Sequence, residues 1–179
     1  MTGVLQQLFY YGAGEMMSGY LRKTIGGVWL KAPSDGDEDV TYAGVCDDSR
    51  QLHPGDVFMA IKGDLTDGHR YLQMAGNSGA VAVCVQVEPT VDELSALPCA
   101  CLLVPDTLRA FQQLAAHHRR SMENVLVLGI TGSCGKTSSK EMCAAVLECK
   151  YPGAVIKTEG NTNNHFGVPR NLLRINENT

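Results

Sequence analysis

The chain has 179 residues, room for one full domain or for one domain and part of another. It is 44% hydrophobic and 19% charged, so an ordered core is expected, and its net charge of -4 argues against non-specific nucleic-acid binding, which needs a basic face. No apolar run approaches the roughly 20 residues that cross a membrane, no basic stretch leads into an apolar core as in a secretory signal, and the seven cysteines include no Cys-x-x-Cys pair, which fits reduced, mostly buried thiols in a cytoplasmic protein rather than a zinc or redox motif.

In residues 1–23, Leu5, Leu8 and Phe9 suggest a short amphipathic helix that Gly12, Gly14 and Gly19 interrupt, so this stretch is a first helix or an extension. Residues 24–32 read as a turn into a short strand, and 33–39 as an acidic surface loop. Strand character resumes over 42–47. Then come Asp48-Ser49-Arg50 and a loop with a Pro54-Gly55 turn. Residues 57–61 form a strong strand, 62–69 a polar loop, and 70–77 a short helix with Tyr71, Leu72 and Ala75 apolar. Further strands follow at 80–87 and 99–104. Asp106 or Thr107 caps a helix reaching about Met122, with Leu108, Phe111, Leu114, Ala115 and His118 near one face and positive charge in its last turns. Strands alternating with helices place the chain in the α/β class.

The most specific stretch comes next. Residues 125–130 (Val-Leu-Val-Leu-Gly-Ile) carry no charge, as a strand covered on both faces would. After Gly132 and Gly135 the period changes: Met142, Ala145, Val146 and Cys149 fall on one helical face. A strand feeding a glycine turn at a helix N-terminus is a phosphate site, because free N–H groups and the helix dipole point at the anion. Lys136 adds a positive charge and Thr137 a hydroxyl able to ligate Mg²⁺. The spacing is shorter than the general P-loop, which needs glycine where this chain has Ile130. Cys134, inside the loop, reads as a tolerated small residue rather than a nucleophile.

A strand is expected at 154–158, followed directly by Glu159-Gly160-Asn161-Thr162-Asn163-Asn164-His165-Phe166-Gly167-Val168-Pro169. That position puts the Asn-rich stretch at the carboxyl edge of the sheet beside the phosphate loop. Its amides suit a polar ligand or a phosphate oxygen; the alternative is a decorated turn. The loops at 48–50 and 62–69 flank one strand and could converge on a nucleotide or sugar phosphate, or be a solvated loop pair. His117 and His118 read as helix-end residues, and no Ser/His/Asp set or placed carboxylate pair can be argued from spacing. The domain boundary falls near Glu123, giving an extension or first helix at 1–23, a first domain at 24–122 and a second unit at 123–179. At about 55 residues the second unit is short for a nucleotide-binding sheet, whose usual size is at least about 100, so the chain is expected to stop inside its second domain.

These stretches occur in the same order in the Mur ligases, the ATP-dependent enzymes that build the peptidoglycan stem peptide, and over residues 24–179 the chain resembles that family. Thr131-Gly132-Ser133-Cys134-Gly135-Lys136-Thr137 matches its short phosphate loop. Ser138-Ser139-Lys140-Glu141-Met142 and the Asn-rich stretch, with Leu172-Leu173-Arg174 after it, resemble the D-alanyl-D-alanine-adding (MurF) type. Asp48-Ser49-Arg50 and Pro54-Gly55-Asp56-Val57-Phe58-Met59-Ala60-Ile61-Lys62-Gly63 are similar to the UDP-binding domain shared by the MurE and MurF types. The family's usual Thr before the paired leucines is Asn171 here, and its later metal-binding Glu and His, modified lysine and third domain have no counterpart.

The resemblance implies an α/β UDP-binding domain followed by the beginning of a P-loop ATPase domain. It also implies peptide-bond formation between a UDP-N-acetylmuramoyl tripeptide and D-alanyl-D-alanine, with ATP and Mg²⁺, through an acyl phosphate. Thr131, Gly132, Ser133, Cys134, Gly135, Lys136, Thr137 and Ser138 would hold the phosphates, Lys136 and Thr137 being catalytic and Thr137 meeting the metal. Asn161, Asn163 and Asn164 would line the substrate cleft, and Ser49, Arg50, Lys62, Gly63, Asp64 and Thr66 the uridine diphosphate. A cytoplasmic monomer with no nucleic-acid partner and no membrane span is expected, inactive as this chain alone. The alternatives are a MurE-type ligase adding a diamino acid and a non-catalytic UDP-sugar or nucleotide-binding module.

Overall fold

A computed structural model describes residues 20–33, 38–63, 66–160 and 162–179. The expected helix around Leu5, Leu8 and Phe9 lies outside them, as do Asp64 and Asn161. In chain order the elements are α1 (Leu21–Ile25), β1 (Val28–Lys31), β2 (Gly44–Cys46), β3 (Asp56–Met59), a 3₁₀ turn (Gly68–Tyr71), α2 (Leu72–Asn77), β4 (Ala82–Val85), α3 (Val91–Ala96), β5 (Ala100–Leu103), α4 (Thr107–Ser121), α5 (Lys136–Lys150) and α6 (Gly167–Leu173). The sheet order is β1-β5-β4-β3-β2. Strands β2 to β5 run parallel and β1 pairs antiparallel with β5.

Every residue of β3 and β4 is buried, which is why those stretches read as unbroken apolar runs: a parallel sheet is covered on both faces. Side chains alternate between the faces with the strand period of two. Val57, Met59, Ala82, Cys84 and Leu102 pack with Leu21 of α1, with Ala110, Phe111, Leu114 and Ala115 of α4, and with Leu173 of α6. Phe58, Val83, Val85 and Cys101 pack with Leu72 and Ala75 of α2 and with Leu97. Phe111 and Leu114 are 1% and 0% exposed, so each contributes about 1.5–3 kcal/mol of burial.

The helix ends follow capping chemistry. Asp106 accepts the Arg109 N–H at 2.9 Å at the start of α4, as its sequence position predicts. Two further caps are not apparent from periodicity. Thr90 and Glu93 form a reciprocal capping box that starts α3. Asp39, buried, accepts from the N–H groups of Arg22 (2.8 Å) and Lys23 (2.9 Å) and so anchors α1. No described helix is long and apolar enough to cross a membrane.

Beyond α4 the structure departs from the sequence reading. Residues 125–130 are not a strand: no described strand lies alongside to take their backbone bonds, and Leu126, Val127 and Leu128 are exposed. Residues 154–158 are not a strand either, for the same reason. The helix expected after the phosphate loop is present as α5, but Met142 and Val146 are 70% exposed and no residue of α5 is buried. Its apolar face has the right period and no covering layer among the described residues.

The thiols also differ from the expectation of general burial. All seven are free; Cys84, Cys99 and Cys101 are buried, Cys46 and Cys143 half-buried, and Cys134 and Cys149 exposed. The buried ones lie in or beside the sheet, where desolvation raises Cys101 to about 12 and Cys84 higher still, leaving unreactive thiols.

Candidate functional site

The phosphate loop is built as its glycines require. Gly135 has φ 75° and ψ 0°, the left-handed conformation that a side chain disfavours, and α5 starts immediately after it. No side chain caps α5, and residues 131–138 are all exposed, so the first-turn amides of Lys136, Thr137 and Ser138 face outward. Lys136 Nζ donates to the Gly132 carbonyl, which holds the ammonium across the loop. Thr131, Ser133 and Cys134 lie in the exposed connection. This arrangement suits a polyphosphate: dipole, amides and a mobile cation point at one place. Among the described residues no group of three His, Cys, Asp or Glu side chains could hold a metal. The Thr137 hydroxyl, exposed at the start of α5, is suited to Mg²⁺ only in the mode where phosphate oxygens and water supply most ligands.

The Asn-rich stretch is a turn that builds the start of α6. Asn164 Oδ1 accepts the N–H groups of Phe166 (3.2 Å) and Gly167 (2.8 Å), and the Asn164 carbonyl accepts from Val168 (3.0 Å). Gly167 is required by close approach, since a Cβ there would meet Thr162 backbone atoms at 2.5–2.7 Å. Asn171 closes the turn: its Nδ2 lies 3.1 Å from both the carbonyl and the hydroxyl of Thr162 and 2.9 Å from the Gly167 carbonyl. Arg174 pairs with Glu159 at 2.9 Å. Asn163 is exposed and, with Asn164, His165, Val168, Leu172 and Gln112 of α4, lines a cavity of about 360 Å³. Thus Asn164 spends its carbonyl on α6, while Asn163 faces the cavity.

The first-domain loops sit at the carboxyl ends of β2 and β3, which are parallel neighbours, so they share one edge. Arg50 forks onto Asp48, with Nη2 to Oδ2 at 2.7 Å and Nε to Oδ1 at 2.9 Å, and holds that carboxyl below its usual range. Ser49 Oγ lies 3.5 Å from Met74 Sδ of α2, which joins this loop to the helix following the second loop. There Lys62 and Thr66 are exposed, and the Gly63 N–H donates to the Thr66 carbonyl at 2.9 Å. Asp67 caps the 3₁₀ turn and accepts from His69 Nδ1 at 2.7 Å, while His69 Nε2 accepts the Gln86 N–H at 3.1 Å. That pairing places the His69 proton on Nδ1 and leaves neither ring nitrogen free for catalysis. Gln86 Oε1 in turn accepts the Thr107 N–H at 3.1 Å, tying the edge to α4.

Among the described residues, three side-chain ties join α6 and its flanks to the elements of the first domain. Arg170 of α6 forks onto Asp47 at the end of β2, with Nε to Oδ1 at 2.9 Å and Nη2 to Oδ2 at 2.8 Å. Gln112 Nε2 donates to the His165 carbonyl at 3.2 Å. His118, in the last turn of α4 and on its buried face as expected, meets the Ile175 carbonyl. The 48–50 loop and the Asn-rich turn are therefore brought together through Arg170. The phosphate loop is not joined to them directly by hydrogen bonds or ion pairs among the described residues. One turn into α5, Lys140 Nζ donates to the Thr158 carbonyl and Glu141 pairs with Lys157. Those bonds hold the segment entering the Asn-rich turn in place of the expected strand. Sequence reading missed Asp47, Arg170 and the role of Asn171; the only signal was that Asn171 departs from the residue usual in the resembled family.

A family model described as the Mur ligase family, catalytic domain, matches residues 41–119, and one described as the Mur ligase middle domain matches residues 130–179. A UDP-N-acetylmuramoyl-tripeptide–D-alanyl-D-alanine ligase of Synechocystis sp. is 41% identical over 138 residues, 77% of this chain and 29% of the relative. A crystal structure of MurF from Acinetobacter baumannii superposes with a TM-score of 0.71 at 31% identity, covering 88% of this chain and 32% of that one. The MurF ligase of Thermotoga maritima in complex with ADP gives 0.61, also at 31% identity, over 73% of this chain and 28% of that one. The chain thus spans about 29% of the length of the Synechocystis relative.

Proposed function

The chain belongs to the Mur ligase family, and we propose that it carries the UDP-substrate domain (24–122) and the opening of the ATP-binding domain (123–179) of a cytoplasmic, monomeric D-alanyl-D-alanine-adding ligase. The observation that carries this reading is the uncapped N-terminus of α5 behind the left-handed Gly135, with the Lys136 ammonium lying over the loop. The partners are a UDP-N-acetylmuramoyl tripeptide and D-alanyl-D-alanine. ATP with Mg²⁺ supplies the phosphoryl group that activates the tripeptide carboxylate for attack by the dipeptide amine.

The residues of the chain position and neutralise. The amides of residues 132–137 orient the phosphate chain, Lys136 offsets charge on its terminal oxygens, and Thr137 offers its hydroxyl to the cation. Asn163 and Asn164, with Asn161, line the cleft in which the carboxylate is held. Ser49, Arg50, Lys62, Gly63, Asp64 and Thr66 surround the uridine diphosphate, whose charge Arg50 meets with a planar fork. The test is calorimetric titration with Mg²⁺ and a non-hydrolysable ATP analogue, and separately with the UDP-linked tripeptide. Lys136→Ala is expected to lose nucleotide affinity at least tenfold and to keep its affinity for the UDP substrate. Nucleotide binding unchanged by that substitution overturns the phosphate-loop assignment. Ligation is measured in the chain extended to the length of its relatives, where Lys136→Ala abolishes turnover.

A further inference from the structure

Arg170 and Asp47 are 123 residues apart in sequence, yet they form the only two-pronged ion pair among the described residues that links the Asn-rich turn to the first-domain edge. The Asp47 side chain is 9% exposed, so its charge needs a fixed partner, and the guanidinium fork supplies one. The same guanidinium lies in the field of Asp48, which contributes to raising the Arg170 pKa and whose own carboxyl it helps hold down. Asp48 is at present the partner of Arg50, an exposed side chain at the mouth of the loop.

A ligand carrying a diphosphate competes with Asp48 for Arg50. When the Arg50 side chain turns to the ligand, Asp48 keeps the Arg50 N–H on its Oδ1 but loses its guanidinium partner, and Arg170, forked onto the adjacent Asp47, is the cation whose field reaches it. Arg170 also sits at the middle of the seven-residue α6, whose start is made by Asn164 and whose far end is fixed to α4 by Leu173 and by the bond between Ile175 and His118. A stronger pull of Asp48 on Arg170 therefore tightens the helix that carries the Asn-rich turn.

We propose that Arg170 is a positioning residue that couples the two halves of the site: occupancy of the 48–50 loop by the UDP moiety orders the Asn-rich turn for the activated carboxylate. This rests on the UDP reading of that loop. The coupling is reciprocal, as any linkage between two binding regions must be.

The experiment is calorimetry and amide hydrogen exchange on the 179-residue chain with the UDP-linked tripeptide as probe, for the wild type, Arg170→Ala, Arg170→Lys and Leu173→Ala. In the wild type, ligand is expected to slow exchange both at 47–70 and at 162–174. In Arg170→Ala the affinity falls about tenfold and the slowing at 162–174 disappears, while that at 47–70 persists; Arg170→Lys, which keeps the charge without the fork, lies between. Leu173→Ala trims one packing contact of α6 but leaves both charged partners and the Gln112 and His118 ties that dock the helix, and should retain the transmitted slowing. If Leu173→Ala loses that slowing as Arg170→Ala does, or if Arg170→Ala keeps it, the proposal is overturned. Arg50→Ala and Thr66→Ala separate the two readings. If they weaken binding and Arg170→Ala does not, the coupling fails and the UDP assignment stands. If neither weakens binding, the UDP assignment fails and the coupling falls with it.

Discussion

His118 Nε2 lies 2.7 Å from the carbonyl oxygen of Ile175, joining the last turns of α4 to the chain just past α6. A carbonyl only accepts, so Nε2 carries the proton, and the buried Nδ1 has no hydrogen-bond partner among the described residues. Protonating Nδ1 would place a charge in an apolar contact beside His117. Burial is the main cause that holds the His118 pKa below its ordinary value of 6.5; the bond to Ile175 opposes this and the proximity of His117 adds to it.

The sign follows from linkage. The unfolded chain binds a proton near pH 6.5 and the folded one only at lower pH, so stability from this site is complete above about 6.5 and is lost as pH falls below it. Thermal unfolding of the wild type is expected to drop between pH 7 and 5 more steeply than that of His118→Gln, whose amide can still donate to Ile175 but does not titrate. Parallel declines in the two proteins would show that His118 is not the group responsible.

Asn171 donates from one amide nitrogen toward three oxygens, two on Thr162 and one on Gly167. Asn171→Ala removes these bonds and is expected to cost about 1–2 kcal/mol in urea unfolding, the net worth of one or two partly buried hydrogen bonds. Asn171→Asp should cost more, because the oxygen replacing Nδ2 would face the Thr162 and Gly167 carbonyls and a Thr162 hydroxyl whose proton already goes to Glu159, while only the long contact from Arg174 to Oδ1 is kept. An aspartate variant as stable as the wild type at pH 7 would mean that the Thr162 turn is held some other way.

At Gly167 the limit is space. An added methyl would meet the Thr162 carbonyl carbon and oxygen at 2.6 and 2.5 Å, both backbone atoms that cannot swing aside. Gly167→Ala should therefore destabilise by about 1–3 kcal/mol, as overpacking does, and should disturb the amide spectra of 162–168 before those of the sheet. Unaltered spectra in that segment would contradict the close packing of turn and helix.

How much of this was legible depended on whether the cause was local. The strands at β3, β4 and β5 were readable because burial on both faces leaves apolar runs, and α4 because Asp106 announces its start. The glycine turn leading into α5 was readable for the same reason: glycine, lysine and helix onset are adjacent. The capping box at Thr90 and Glu93 was a local signal too, but α3 is only six residues long and none of them is buried, so periodicity did not reveal it. Residues 125–130 have the composition of a buried strand, yet a strand exists only through a neighbour's hydrogen bonds, and composition does not say whether the neighbour is present. The fork between Arg170 and Asp47 could not be foreseen at all. Nothing near either residue marks it, and only the docking of α6 on α4 brings them together.

That docking leads to a prediction about where the chain can be cut. Leu126 is 87% exposed, Leu128 59% and Tyr151 49%, and 124–135 has few backbone bonds to hold it closed. Proteases need such accessible, pliable backbone. Brief treatment with chymotrypsin should therefore cleave first between 124 and 158. The piece containing α6 should nevertheless stay with the sheet. Leu173 and Ile175 are 8% and 7% exposed, Arg170 holds Asp47, Gln112 holds the His165 carbonyl and His118 holds Ile175, all across the cut. On size exclusion the nicked protein should elute as one species, and on a denaturing gel as two or more bands. His118→Ala with Arg170→Ala should let the smaller piece dissociate. Early cleavage within 56–121, or separation of the wild-type pieces without denaturant, would refute the packing of α6 on α4 as the joint between the two halves.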